Sequence, residues 1–131
     1  MINGPACPVT NLEKILLATD GTIHSEGAIR EAIKFASKCS SRIYACMTLE
    51  TNPEYESIGS SALQKEEIDA NKHLESIKTR AEKEGLTCET ILHESMNASQ
   101  AIVEEATKKK VDIIVIGRRG YKGMAKALMG E

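Results

Sequence analysis

The sequence predicts an α/β fold of the doubly wound class: an open, mostly parallel, twisted sheet with helices on both faces. Three observations carry that prediction. Two runs, Lys14-Ile-Leu-Leu-Ala-Thr-Asp20 and Val111-Asp-Ile-Ile-Val-Ile-Gly117, are nearly continuous in apolar residues, which suits strands covered on both sides. Between strand-like runs, apolar residues recur at helical spacing. The resulting order, β-α-β-α-β-α-β with helices of ten or more residues, fits right-handed crossovers between parallel strands.

Residues 1–11, with Gly4, Pro5 and Pro8, read as an irregular lead-in. The first strand runs to Asp20, where Gly21 breaks it. Ser25 is placed to cap a first helix whose Ala28, Ile29, Ala32, Ile33 and Ala36 face inward, and which ends near Cys39. Arg42-Ile-Tyr-Ala-Cys-Met-Thr-Leu49 is the second strand. Asn52-Pro53 and Gly59-Ser-Ser mark a loop into a long helix from about Ala62 to Glu84. Leu63, Ile68, Leu74, Ile77 and Ala81 supply its inward positions, and Gly85 its C-cap. Thr87-Cys-Glu-Thr-Ile-Leu-His93 alternates, which places the third strand nearer a sheet edge. Asn97 or Ser99 caps a third helix with Ala101, Ile102, Ala106 and Val103 inward. Val111 to Ile116 is the fourth strand, and a short helix around Met124 to Leu128 follows.

The chain's 131 residues fit one domain, 1–131, with no repeat, low-complexity tract or linker. A net charge of −2 offers no field for nucleic acid or an anionic membrane. Aromatic content of 3%, with no Trp and a single Phe, Phe35, disfavours a base-stacking platform. No apolar stretch approaches the roughly 20 residues that span a bilayer, and no signal peptide opens the chain, so the cytoplasm is the default expectation. Cys7, Cys39, Cys46 and Cys88 form no C-x-x-C pair. Their even count allows two disulfides, but the apolar content suffices without them, and buried reduced thiols are expected.

The chemistry gathers behind the fourth strand. Gly117, Gly120 and Gly130 form G-x-x-G followed by nine residues and a glycine, so main-chain N–H groups can approach a ligand closely. Arg118, Arg119, Lys122 and Lys126 lie in the same stretch. Bare amides and cations beyond the carboxyl end of a buried strand point to a phosphate, hence to a nucleotide. A tight turn needed only for packing is the plainer reading of the glycines. If the first and fourth strands adjoin at the switch point of the sheet, Asp20 faces the glycine loop across one crevice. Lys108-Lys-Lys110 suits the negative end of the third helix, and Glu66, Glu67, Asp69 and Lys72 suit a solvated face. His24, His73 and His93 have no metal-ligand spacing, and no nucleophile setting is recognisable, so no catalytic residue is assigned.

Lys14-Ile-Leu-Leu-Ala-Thr-Asp-Gly-Thr22, Ser25 and the glycine spacing together resemble the universal stress protein family over nearly the whole chain. The resemblance implies an adenine-nucleotide α-hydrolase-like sheet in order 3-2-1-4-5, frequent homodimers, and an ATP or AMP site in one branch. Carried over, Ala18, Thr19 and Asp20 line the nucleoside end, and Thr48 presents backbone atoms to adenine. Ile116, Gly117, Arg118, Arg119 and Gly120 run under the ribose and phosphates, with Met129 and Gly130 closing over them.

Two departures stand out. The family's phosphate-binding Ser or Thr after the last glycine is replaced by Glu131. A carboxylate about 4 Å from a phosphate charge is repelled by about 1 kcal/mol in water, more in a drier crevice, unless a cation or a shared Mg²⁺ offsets it. The family pattern also continues through a last helix and a fifth strand beyond Glu131. A shortened sequence is the expectation, since a fourth strand this apolar would aggregate if exposed.

The function expected is an adenine-nucleotide-binding stress-response module acting by ligand-modulated conformation or oligomerisation, with hydrolysis at most slow. Alternatives are a nucleotide-independent dimeric interaction protein of the same fold and a weak nucleotide hydrolase.

Overall fold

The computed structural model describes residue 7 and residues 12–50 and 60–117. Its elements are β1 (Lys14–Thr19), a 3-10 turn (Ile23–Ser25), α1 (Glu26–Cys39), β2 (Arg42–Glu50), α2 (Ser60–Lys83), β3 (Cys88–Ser95), α3 (Ala98–Lys109) and β4 (Ile113–Ile116). The four strands are parallel in the order β3-β2-β1-β4. The predicted helix around Met124 to Leu128 and the loop at Asn52 to Gly59 lie outside the described residues.

The period-two alternation of β1 divides the core. Ile15 and Leu17 pack with Ile29, Ala32 and Ala36 of α1 and with Leu74, Ile77 and Ala81 of α2. Leu16 and Ala18 point the other way, onto Ala98, Ile102 and Ala106 of α3. Helices therefore cover both faces, and β1 is buried on both, as its unbroken apolar run predicts. Each fully buried Leu or Ile contributes about 1.5–3 kcal/mol. β3 is an edge strand, in line with its alternating sequence.

Helix ends follow local chemistry. Asn97 caps α3 by accepting from the Gln100 N–H at 3.0 Å. Gly85 follows α2 at φ +79°, a left-handed position that costs a glycine little. Asp112 locks the entry of β1: its Oδ2 accepts from the N–H groups of Glu13 and Lys14, both at 2.9 Å. Its own N–H donates to the Lys14 carbonyl, also at 2.9 Å, which joins the start of β4 to the start of β1.

Five expectations need correction. Ser25 is not a side-chain cap; its backbone is helical, it makes no capping bond, and its hydroxyl serves Asp20 instead. Ile68 is 56% exposed and Val103 43% exposed, so neither faces inward. The side chain of Leu63, expected beside Ile68, lies outside the described ones. The fourth strand begins at Ile113, because Val111 and Asp112 belong to the junction after α3. Cys7 and Cys39 are joined in a disulfide, with Cα atoms 4.7 Å apart. The other two cysteines are free and buried; burial pushes the thiol of Cys46 to about 12 and that of Cys88 to about 11, which leaves both unreactive.

One buried charge was not foreseen. Glu105 is 5% exposed on the inward face of α3, and its Oε1 lies 2.8 Å from His93 Nε2 on β3. Lys109 approaches the same carboxylate at 3.9 Å, pairs with Glu89 at 3.2 Å, and sits over the Tyr44 ring.

Candidate functional site

The strand order reverses at β1. The chain leaves β1 through α1 to β2 and β3 on one side, and α3 returns it to β4 on the other. A crevice beyond the carboxyl ends of β1 and β4 is where open α/β sheets take ligands. Ala18 pairs in register with Ile116, so Asp20 and Gly117 emerge on one rim.

Asp20 organises that rim. Its Oδ1 accepts from the Thr22 N–H at 2.9 Å, the Thr22 hydroxyl at 2.6 Å and the Ser25 hydroxyl at 2.6 Å. The Asp20 N–H donates back to Ser25 Oγ at 3.0 Å. Asp20 Oδ2 has no partner among the described residues. Partial burial raises the carboxyl's pKa, but the hydrogen bonds from Ser25 and Thr22 outweigh it and hold the group below its ordinary value. Asp20 is therefore an anion with one oxygen saturated by the turn and the other still able to accept.

Gly117 closes the rim by contact. A Cβ there would lie 3.0 Å from the His24 carbonyl oxygen, 3.1 Å from Ser25 Cα and 3.3 Å from Ser25 Oγ. The glycine is needed because β4 runs against the 3-10 turn, and no positive φ is involved. His24, read from sequence as a surface or helix-start residue, is an exposed member of that turn.

Thr19 is fully buried, and its hydroxyl faces α2, where His73 Nε2 lies 2.8 Å away. The same hydroxyl oxygen accepts from the Gly21 N–H at 3.1 Å. Burial depresses the His73 pKa, opposed by Asp20 and Glu26 and assisted by Arg80. The ring is thus neutral at pH 7 and ties the long helix to the end of β1. Sequence reading missed this contact, since His73 shares no motif with Thr19 and lies 54 residues away.

Ala18 is fully buried, and Thr48, near the end of β2, is 8% exposed with no partner for Oγ1 among the described residues. Ala18, Thr19, Asp20, Thr48, Ile116 and Gly117 are thus gathered at the ends of three neighbouring strands. Arg118, Arg119, Gly120, Met129, Gly130 and Glu131 lie outside the described residues.

These groups set a pH dependence. Asp20 is held low as described, Glu26 chiefly by its hydrogen bond from Arg80, and Asp112 by the N–H groups of Lys14 and Glu13. A carboxyl depressed on folding contributes stability above its unfolded value, 3.8 for Asp or 4.5 for Glu, and that contribution is lost as pH falls through the folded value. His73 has the same sign: its neutral form is favoured on folding, so stability declines as pH drops below 6.5. Thermal melts across pH should show a shallow decline below 6.5 and a steeper one below about 4.5. His73→Gln should remove the first decline only, and an unaltered profile in that variant would contradict the assignment.

The universal stress protein family model matches residues 11–131. The chain belongs to the universal stress protein family. Among relatives, the universal stress protein MJ0531 of Methanocaldococcus jannaschii is 34% identical over 127 residues, covering 91% of this chain and 72% of that protein. A universal stress family protein from Burkholderia pseudomallei superposes with a TM-score of 0.76 at 20% identity, covering 94% of this chain and 92% of that one. A universal stress protein solved in complex with cAMP gives 0.60 at 23% identity, covering 91% and 82%. The Archaeoglobus fulgidus member solved with dAMP gives 0.66 at 18% identity, covering 94% and 93%. These three share the universal stress fold with this chain.

Proposed function

We propose that this universal stress domain is an adenine-nucleotide-binding regulatory module, taking ATP or AMP in the crevice beyond β1 and β4. The observation that carries the reading is the Asp20 carboxylate, anionic and with Oδ2 unpartnered among the described residues, next to Gly117 at the switch point. A fixed anion repels phosphate but accepts well from ribose hydroxyls or an exocyclic amine, so Asp20 would meet the nucleoside end. Thr48 would present its main chain to adenine, and the segment from Ile116 through Gly120, with Met129 and Gly130, would hold ribose and phosphates. Glu131 would favour a less charged ligand such as AMP, or ATP whose charge is shared with Mg²⁺. The cAMP and dAMP complexes of structural neighbours support an adenine-nucleotide ligand, since both ligands are adenine nucleotides.

Binding would act by shifting conformation or homodimerisation, in proportion to the ligand's differential affinity for the two states. Isothermal titration with ATP, ADP and AMP, with and without Mg²⁺, tests the reading. Saturable heat is expected, and neither heat nor thermal shift at millimolar ligand would remove it. Asp20→Asn keeps an Oδ1 acceptor for the turn but loses the charge. It should weaken binding about tenfold, the equivalent of one hydrogen bond to a charged group. Unchanged affinity in that variant would place the nucleoside elsewhere.

A further inference from the structure

We propose that the groove between α1 and α2 is a docking site for an acidic peptide segment of a partner protein. The groove has a volume of about 560 Å³ and is walled by Arg30, Lys34 and Lys38 of α1 and by Arg80 and Lys83 of α2. Ile33, partly buried against the core, contributes to its lining. Among the described residues Glu84 is the one carboxylate that lines it. The whole chain carries a net charge of −2, so this concentration of cations is a local arrangement and not the by-product of a basic protein.

Internal pairing leaves much of that charge uncompensated. Glu26 takes the Arg80 guanidinium in a two-pronged contact at 3.1 and 2.8 Å, and approaches Arg30 at 3.9 Å. Lys34, Lys38 and Lys83 have no carboxylate within ion-pair distance among the described residues. The plainer explanation is that cations favour helix carboxyl ends. It covers Lys38, Arg80 and Lys83, which lie in last turns, but not Arg30 and Lys34 earlier in α1.

Spacing and floor select the occupant. Arg30, Lys34 and Lys38 recur every fourth residue, so their origins step about 6 Å along one side of α1. Carboxylates at every second residue of an extended peptide recur about 6.6 Å apart and can follow that row. Ile33 and the aliphatic stems of the lysines offer apolar contact between the charges. A phosphate backbone or an inorganic anion would leave that contact unused, whereas a peptide can seat an apolar side chain there. The volume suits a short segment, not the face of a globular partner.

The test uses a short fluorescein-labelled peptide with Glu at alternate positions and one central Leu. Its Gln counterpart and an oligothymidylate of equal charge are run in parallel by fluorescence anisotropy on the full chain. Saturable binding of the Glu peptide is expected, weakening as salt rises from about 50 to about 300 mM. Reversal of Lys34→Glu with Lys38→Glu should weaken it about tenfold or more, and Lys34→Gln with Lys38→Gln less, in the same direction. Lys65→Glu with Lys72→Glu makes the same change in net charge on exposed positions outside the groove, and should leave affinity within about twofold. Circular dichroism checks that each variant is folded. Absence of saturable binding, equal binding of the Gln peptide, or equal loss in the control pair would overturn the proposal. Tighter binding of the oligothymidylate would make the groove a general polyanion surface and would overturn it too.

Discussion

Gly117→Val should destabilise the domain by well over the 1–3 kcal/mol typical of overpacking by small groups, and should abolish nucleotide binding. Even the first added carbon would sit 3.0 Å from a backbone oxygen, that of His24, and 3.1 Å from Ser25 Cα. Neither atom can swing aside as a side-chain tip could. The 3-10 turn would have to move, taking with it the Ser25 hydroxyl, 2.6 Å from Asp20 Oδ1. Structural and functional losses should therefore appear together. Gly27→Ala is the matched control: it lies in α1 with nothing within 4 Å of its Cβ direction, and should stabilise by roughly 0.5–1 kcal/mol. Denaturant midpoints and nucleotide titrations measure both. If Gly117→Ala left midpoint and affinity unaltered, the close approach of β4 to the turn would not exist in solution.

Cys7→Ser, or reduction of the native chain, should lower stability by about 3–4 kcal/mol, the loop-closure value for a bridge of this span. The cysteines are 32 residues apart, and Cys39 closes α1 just before the left-handed Ser40. The bridge thus fastens the lead-in to the carboxyl end of the first helix. Paired denaturation curves with and without dithiothreitol give the difference directly, with Cys7→Ser expected to abolish the response to reductant. Cys46 and Cys88 are buried and free, so they should contribute nothing to it. A reducing compartment would keep the bridge open and the domain correspondingly weaker. Equal midpoints under both conditions would show that the bridge does not stabilise the fold.

Much of the architecture was legible because it rests on short-range patterns. Continuous apolar runs identified β1 and β4 as strands, though β4 is only half-buried at an edge of the sheet among the described residues. Alternation identified β3 as an edge, and the residues at Asn97 and Gly85 marked helix ends by their own hydrogen bonding or backbone geometry. The two misplaced apolar residues show where such patterns fail. Ala70, Leu74, Ile77 and Ala81 form the buried stripe of α2, and Ile68 lies two positions before it, about 200° around the helix. Val103 adjoins buried Ile102 but is turned about 100° away. Both are apolar, and only the direction of the sheet decides which apolar residues face it.

The candidate site divides in the same way. Asp20 and Gly117 could be named from the ends of their strands. Their placement on one rim required β4 to lie beside β1, which the sheet order provides. Nothing local marks His73 as the partner of Thr19, Glu105 as a buried carboxylate, or Ser25 as the donor to Asp20 in place of a cap.

By itself, the sequence determined the kind of sheet, the course of its helices and the strand ends that Asp20 and Gly117 occupy. Those follow from periodicity and turn residues, which act over a few positions of chain. The tertiary structure alone decided which thiols pair, which carboxylate is buried and which hydroxyl steadies Asp20. The bridge and the two histidine contacts join groups 32, 54 and 12 residues apart. The Ser25 hydroxyl is only five residues from Asp20, but whether it caps α1 or turns back to the carboxylate depends on β4 packing against that turn. Partners of this kind are selected when the elements pack, because a hydrogen bond or a disulfide depends on positions in space that no local pattern encodes.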